Sequence, residues 1–167
     1  MSLTETVHRL VVERSPFHDQ IQPIVASDEG ITLRCDLNSA ESVGCTLSQI
    51  DLVDASKSSL SMDELVHWAE FICGRVTYLL EPLQLIELDG RHGVALVRSR
   101  RPQRKKDQIA YYELIADRNH HASLRRYRYD VASRDRGAVP FPLTHEQLEV
   151  LVDDLVESAK SINSPHS

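Results

Sequence analysis

Glycine is scarce in this chain, six residues in 167, which leaves little material for loops that cradle phosphate with bare backbone. No G-x-x-x-x-G-K-[ST], G-x-G-x-x-G, G-x-S-x-G or H-E-x-x-H spacing occurs. The arrangements that seat a phosphate on a helix N-terminus, lift a nucleophilic serine onto a tight turn or bring two histidines to one zinc ion are therefore missing. Long apolar runs are missing as well: none approaches the ~20 residues of a membrane-spanning helix. The opening MSLTETVHRLVVER meets charge before any sustained apolar region, unlike a secretory signal peptide, so a cytoplasmic location is expected.

Cysteine is sparse and unpatterned. Cys35, Cys45 and Cys73 are odd in number, show no C-x-x-C and each lie in an apolar stretch. They read as small core hydrophobes rather than a disulfide framework or a zinc site, and no metal or other cofactor is expected. The eight histidines are scattered; His120-His121 reads as a polar turn pair, because adjacent side chains in a strand point to opposite faces. Asp153 and Asp154 do not make a carboxylate pair either, since helix neighbours lie 100° apart and both fall off the apolar stripe, toward solvent. The chain reads as non-enzymatic, and an active site assembled from dispersed residues is the weaker alternative.

What is present is an ordinary globular composition, 41% hydrophobic and 26% charged, enough for a single α+β domain over 1–162 with a frayed tail at 163–167. The most legible stretch is Leu60 to Pro82. Ser61 and Glu64 form an S-x-x-E capping box flanked by the staple Leu60/Leu65. Leu65, Trp68, Ala69, Ile72, Val76, Leu79 and Leu80 then recur at helical spacing, and Pro82 ends the helix. Thr144 with Gln147 repeats the start signal, and Leu148, Leu151, Val152, Leu155, Val156 and Ala159 give the last helix one clean stripe. An internal strands-then-helix repeat is one reading of this likeness; chance recurrence of a local cap is the other.

Strands fill the remainder. Ile31 to Leu37 alternates strictly, placing Ile31, Leu33, Cys35 and Leu37 on the core side. Val43 to Val53 follows as its antiparallel partner, with an irregularity before Ile50. Leu83–Leu88 and Gly93–Arg98 form a hairpin about Asp89-Gly90, and Ile109–Ala116 pairs with Ala122–Val131. His8 to Glu13 reads as a short strand broken at Ser15-Pro16, the connection through Ile21, Ile24 and Val25 as irregular or loosely helical, Asp28-Glu29-Gly30 as a turn, and Pro140 and Pro142 as the end of the sheet. The expected fold is an antiparallel sheet of about five to six strands with two main helices packed on it.

Two features point to partners. On the central helix His67, Phe71, Gly74 and Tyr78 line up away from the main stripe, so another element of the domain covers them or they are a subunit or partner interface. The second is charge: residues 91–136 hold thirteen Arg or Lys against five Asp or Glu, a net of +8, while the rest of the chain carries −14, together the −6 of the whole. Arg98, Arg100, Arg101, Arg104, Lys105 and Lys106 crowd one loop, expected to point to water. Three readings fit it: a solvated hairpin tip; phosphate contacts aided by Arg125, Arg126 and Arg128, with Tyr127 and Tyr129 as stacking faces on an exposed sheet; or contact with an acidic protein surface, a second copy included. An overall pI of 5.7 opposes the nucleic-acid reading.

Over residues 30 to 160 the order of strands, long central helix, further strands and a final LTHEQLEVLVDDLV helix resembles the secretion chaperones that bind type III effectors. The resemblance implies a homodimer that holds a segment of a partner protein without catalysis. Two departures stand out: those chaperones open with a well-formed helix where this chain has HRLVVE and a proline, and the 98–106 loop has no counterpart. The expected function is thus a homodimeric, protein-holding binding module, with a nucleic-acid-contacting module as the alternative.

Overall fold

Among the described residues three helices cover one face of an antiparallel sheet and leave the other bare. The computed structural model describes residues 1–162, so the tail expected at 163–167 lies outside the described residues. Among the described residues the order is α1 (Leu3–Arg14), β1 (Gln22–Asp28), β2 (Ile31–Ala40), β3 (Gly44–Asp54), α2 (Met62–Arg75), β4 (Leu83–Asp89), β5 (Val94–Ser99), β6 (Gln103–Lys105), β7 (Gln108–Asp117), β8 (His121–Asp130), β9 (Arg136–Val139), β10 (Phe141–Thr144) and α3 (His145–Ser161). The α+β class and the antiparallel sheet agree with the sequence, but the sheet has ten strands rather than five to six and there are three helices rather than two.

The extra helix is α1, where a strand was expected over His8 to Glu13. Its start signal lies upstream of that window: Ser2 Oγ accepts from the Glu5 amide at 3.1 Å, and Glu5 Oε2 accepts from the Ser2 amide at 3.0 Å. Leu3, Val7 and Val11, four residues apart, are then buried on one side. The connection expected to be irregular or loosely helical instead forms β1 over Gln22–Asp28, and the expected turn follows through Glu29 and Gly30, both at positive φ, into β2.

The main path of the sheet runs β1-β2-β3-β8-β7-β5-β4. Ile31, Leu33, Cys35 and Leu37 all face the core, as the alternation predicts. The β2–β3 register shifts between Asp36 and Ser39, and this irregularity lets Leu47 and Ile50, three residues apart, both point inward. Between β4 and β5 the positive-φ residue is Gly93, so the turn spans residues 90–93 rather than Asp89-Gly90 alone.

The central helix ends at Arg75, seven residues before Pro82. Gly74 and the β-branched Val76-Thr77 are weak helix formers, and Val76 leaves the helical region at ψ 82. Val76 and Leu79 are buried all the same, from an irregular link, whereas Leu80 is 68% exposed.

Pro140 and Pro142 do not end the sheet; they shape a wedge inside it. β3 and β8 pair only over Ile50–Val53 and His121–Leu124, and beyond that point they diverge. β9 runs antiparallel to β8 toward the fork, the chain turns at Pro140, and β10 runs back antiparallel to β3. Phe141, fully buried, plugs the apex, a burial that contributes about 1.5–3 kcal/mol. Gly44 permits the close approach: a Cβ there would lie 2.5 Å from the Leu143 carbonyl oxygen.

Candidate functional site

Three regions hold the residues that the sequence singles out. Beside the wedge a groove of about 550 Å³ opens between the β3/β10 end of the sheet and the Tyr78–Leu80 link. Cys45, Leu143 and Tyr112 line its inner wall, and Leu80 and Val43, 68% and 76% exposed, stand at its rim. Apolar side chains left this open in a concave site are what a partner's apolar segment buries. Burial pushes the Cys45 thiol up to about 11, so it lines the groove as a neutral hydrophobe.

A buried polar cluster fixes that inner wall. Glu81 Oε1 accepts from Arg126 Nη1 at 2.9 Å and from Ser99 Oγ at 2.9 Å, and Glu81 Oε2 accepts from Arg126 Nη2 at 3.2 Å. Ser99 Oγ in turn accepts from the Tyr112 amide at 2.8 Å. The Arg126 guanidinium lies 4.4 Å from the centre of the Tyr112 ring, which meets Phe141 edge-on at 5.5 Å. Arg126 therefore belongs to the core and holds the α2–β4 link against β8. It is not at the surface with Arg125 and Arg128, which are exposed.

The bare face of the sheet carries the second region. Glu113, its side chain 5% exposed, accepts on Oε2 from Arg98 Nε at 2.9 Å and Arg136 Nη1 at 3.0 Å. The guanidinium of Arg98 lies 5.5 Å from the centre of the Tyr111 ring and that of Arg136 3.8 Å from the centre of the Tyr127 ring. The two rings are 6.1 Å apart. The face of Tyr127 expected to stack on a base is thus stacked on an arginine of this chain. Arg98 leaves the run of loop cations for this cluster, and Ser99 is buried. Arg100, Arg101, Arg104, Lys105 and Lys106 stay exposed at the β5–β7 connection, with Gln103–Lys105 paired to β7 as β6.

The third region is the outer side of α2. His67 and Phe71 pack at 6.5 Å, and Arg75 covers the Phe71 ring at 5.1 Å. Gly74 has open space around it. Tyr78, expected on the same ridge, lies past the end of the helix, where its hydroxyl donates to Asp154 Oδ2 at 2.8 Å. Burial, then that bond, raises the Tyr78 pKa. Asp154 is accordingly buried, not solvent-facing, because it sits three residues after Leu151 on the inner side of α3.

Other expectations shift in the same way. His120 is buried against Trp68, its Nε2 2.7 Å from the Ser58 carbonyl oxygen, rather than a polar turn tip. His121 lies on the bare face, 3.7 Å from Asp51 and 3.8 Å from Asp117. The three cysteines are free, with Cys35 and Cys45 buried and Cys73 half-buried. Among the described residues no cluster of three or more His, Cys, Asp or Glu could hold a metal ion, and no helix is long and apolar enough to cross a membrane. Sequence reasoning missed the groove, because β10 and the non-helical link that frame it carry no periodic signal. Compared with known proteins, the chain matches no family model, no curated protein and no solved structure.

Proposed function

We propose that this protein is a non-enzymatic, self-associating binding module that holds an apolar segment of a partner protein in the groove beside the wedge. The observation that carries the reading is the groove itself: about 550 Å³, an inner wall fixed by the Glu81–Arg126 cluster, and Leu80 and Val43 left in solvent at its rim. A preformed wall lowers the ordering cost of binding. The opening helix α1 supports the chaperone-like reading further, since it supplies the element whose absence set this chain apart from the type III secretion chaperones.

Selection of displayed peptides against the protein tests the proposal. Enriched sequences should be apolar and lose at least tenfold in affinity on Leu80→Asp with the fold intact. Enriched peptides that bind Leu80→Asp as tightly as the parent would sink it. A second reading, contact with nucleic acid, is favoured by the five exposed cations at residues 100–106. It requires binding that weakens steeply with salt and is abolished when Arg100, Arg101, Arg104 and Lys105 become Gln.

A further inference from the structure

The bare face of the sheet is ordered by charge along the strands. In one row across β4, β5, β7 and β8 stand Gln84, Arg98, Glu113 and Arg125; in the next stand Glu87, Leu96, Ile115 and Ser123. The third row pairs Asp89 with Val94 and Val94 with Asp117. With Arg136 joined to Glu113, the first row is cationic, the second is apolar at its centre, and the third carries the carboxylates Asp89 and Asp117, which His92 and His121 approach at 2.7 and 3.8 Å. Successive rows on one face are roughly 7 Å apart. A hollow of about 420 Å³ follows this gradient, lined by Glu87, Asp89, Leu96, Arg98, Ile115 and Arg136 among others.

A surface that runs from cation through apolar to anion is its own complement. Turn a second copy by 180° about an axis lying along the middle row, and the first row of each copy meets the third row of the other, while Leu96 and Ile115 each meet their own copy at the centre and the two exposed Glu87 side chains meet at the outer end, on the edge strand β4. This is the pattern an isologous contact requires. We propose that the bare sheet face binds a second copy of this chain about that two-fold axis, Leu96 and Ile115 at its centre. The donors that Arg98 and Arg136 retain beyond Glu113, at 39% and 38% side-chain exposure, then reach Asp89 and Asp117 of the second copy. Ile115, 42% exposed, becomes buried. Seven strands span roughly 30 Å, so the face can supply the ~800 Å² per partner of a standard interface.

The inference rests on the self-association in the proposed function but uses a face distinct from the groove, so the two fail separately. Sedimentation of the full chain at roughly 100 µM, above the micromolar range of a weak interface of this size, should show a dimer. Ile115→Asp, which sets two carboxylates together at the axis, should give a monomer with unchanged circular dichroism. Arg125→Glu should weaken the dimer at least threefold, as should salt near 1 M, where the screening length is about 3 Å. Phe71→Asp on the outer side of α2 should leave the dimer intact. A monomeric parent, a dimer that survives both Ile115→Asp and Arg125→Glu, or a dimer lost on Phe71→Asp overturns the inference, whereas peptide binding in the groove reads the other proposal independently.

Discussion

Two arginine–glutamate clusters sit back to back on β7, and successive residues of one strand belong to them. Tyr112 points into the helix-covered side, where Arg126 lies over its ring and pairs with Glu81; Glu113 points to the bare side, where it holds Arg98 and Arg136. The residue types match but the surroundings do not. Arg126 and Glu81 are 6% and 7% exposed and share their bonds with Ser99. On the bare face the carboxylate is as deeply buried, yet both guanidinium groups reach water. Burial turns the first cluster into a clamp whose bonds are spent within the chain. Partial exposure leaves the second with donors for a partner.

Breaking the clamp should have the largest effect. Arg126→Met leaves the Glu81 carboxylate buried and unpaired and should cost about 3–5 kcal/mol in urea denaturation. Adding Glu81→Leu should recover much of that loss, since an apolar pair of similar size removes the stranded charge. Glu113→Gln comes next, at about 1–2 kcal/mol by the same measurement, because it weakens two charge-assisted bonds whose arginines can still turn to water. Arg136→Ala should cost under about 1 kcal/mol, since Glu113 keeps Arg98. A loss there as large as for Arg126→Met would erase the distinction between the faces.

The gentlest effect near neutral pH concerns the helix-covered side alone. Burial holds Cys45 and Cys73 up to about 11 and raises Cys35 and Tyr78 as well. The folded state thus keeps protons that the unfolded chain releases once pH passes the ordinary thiol value of 9.0. The sign is a stability that is flat at neutral pH and falls as pH rises above that value, measurable by denaturation across an alkaline series. Cys35→Ala should flatten part of the fall.

Where the structure follows from local rules, the sequence showed it: the capping boxes at Ser61 and Thr144, the alternation of β2, the β7–β8 pair. α1 went unseen because its cap begins at Ser2, six residues before the His8–Glu13 window that reads as a strand. β9 and β10 are four residues each around prolines, and only pairing with strands some ninety residues earlier, for β10, makes them strands. For Arg126 a signal existed: Ala122, Leu124 and Arg126 share one face of β8, so parity alone placed it inward. Asp154 carried a similar signal in its spacing from Leu151. The groove had none, since its walls meet only through the wedge.

That wedge also orders the birth of the fold in time. β3 is complete at residue 54, but the strands that occupy its second edge are β8 and β10, made seventy to ninety residues later. α1, at the other extreme, waits for α3 before its buried stripe is enclosed. Contacts this distant in sequence close slowly, and until they close β3 presents an unpaired edge of the kind that attracts other chains. Residues 136–144 thus close the second edge of β3 late in the chain, and a chain that stalls before them should be more prone to aggregate than the full one.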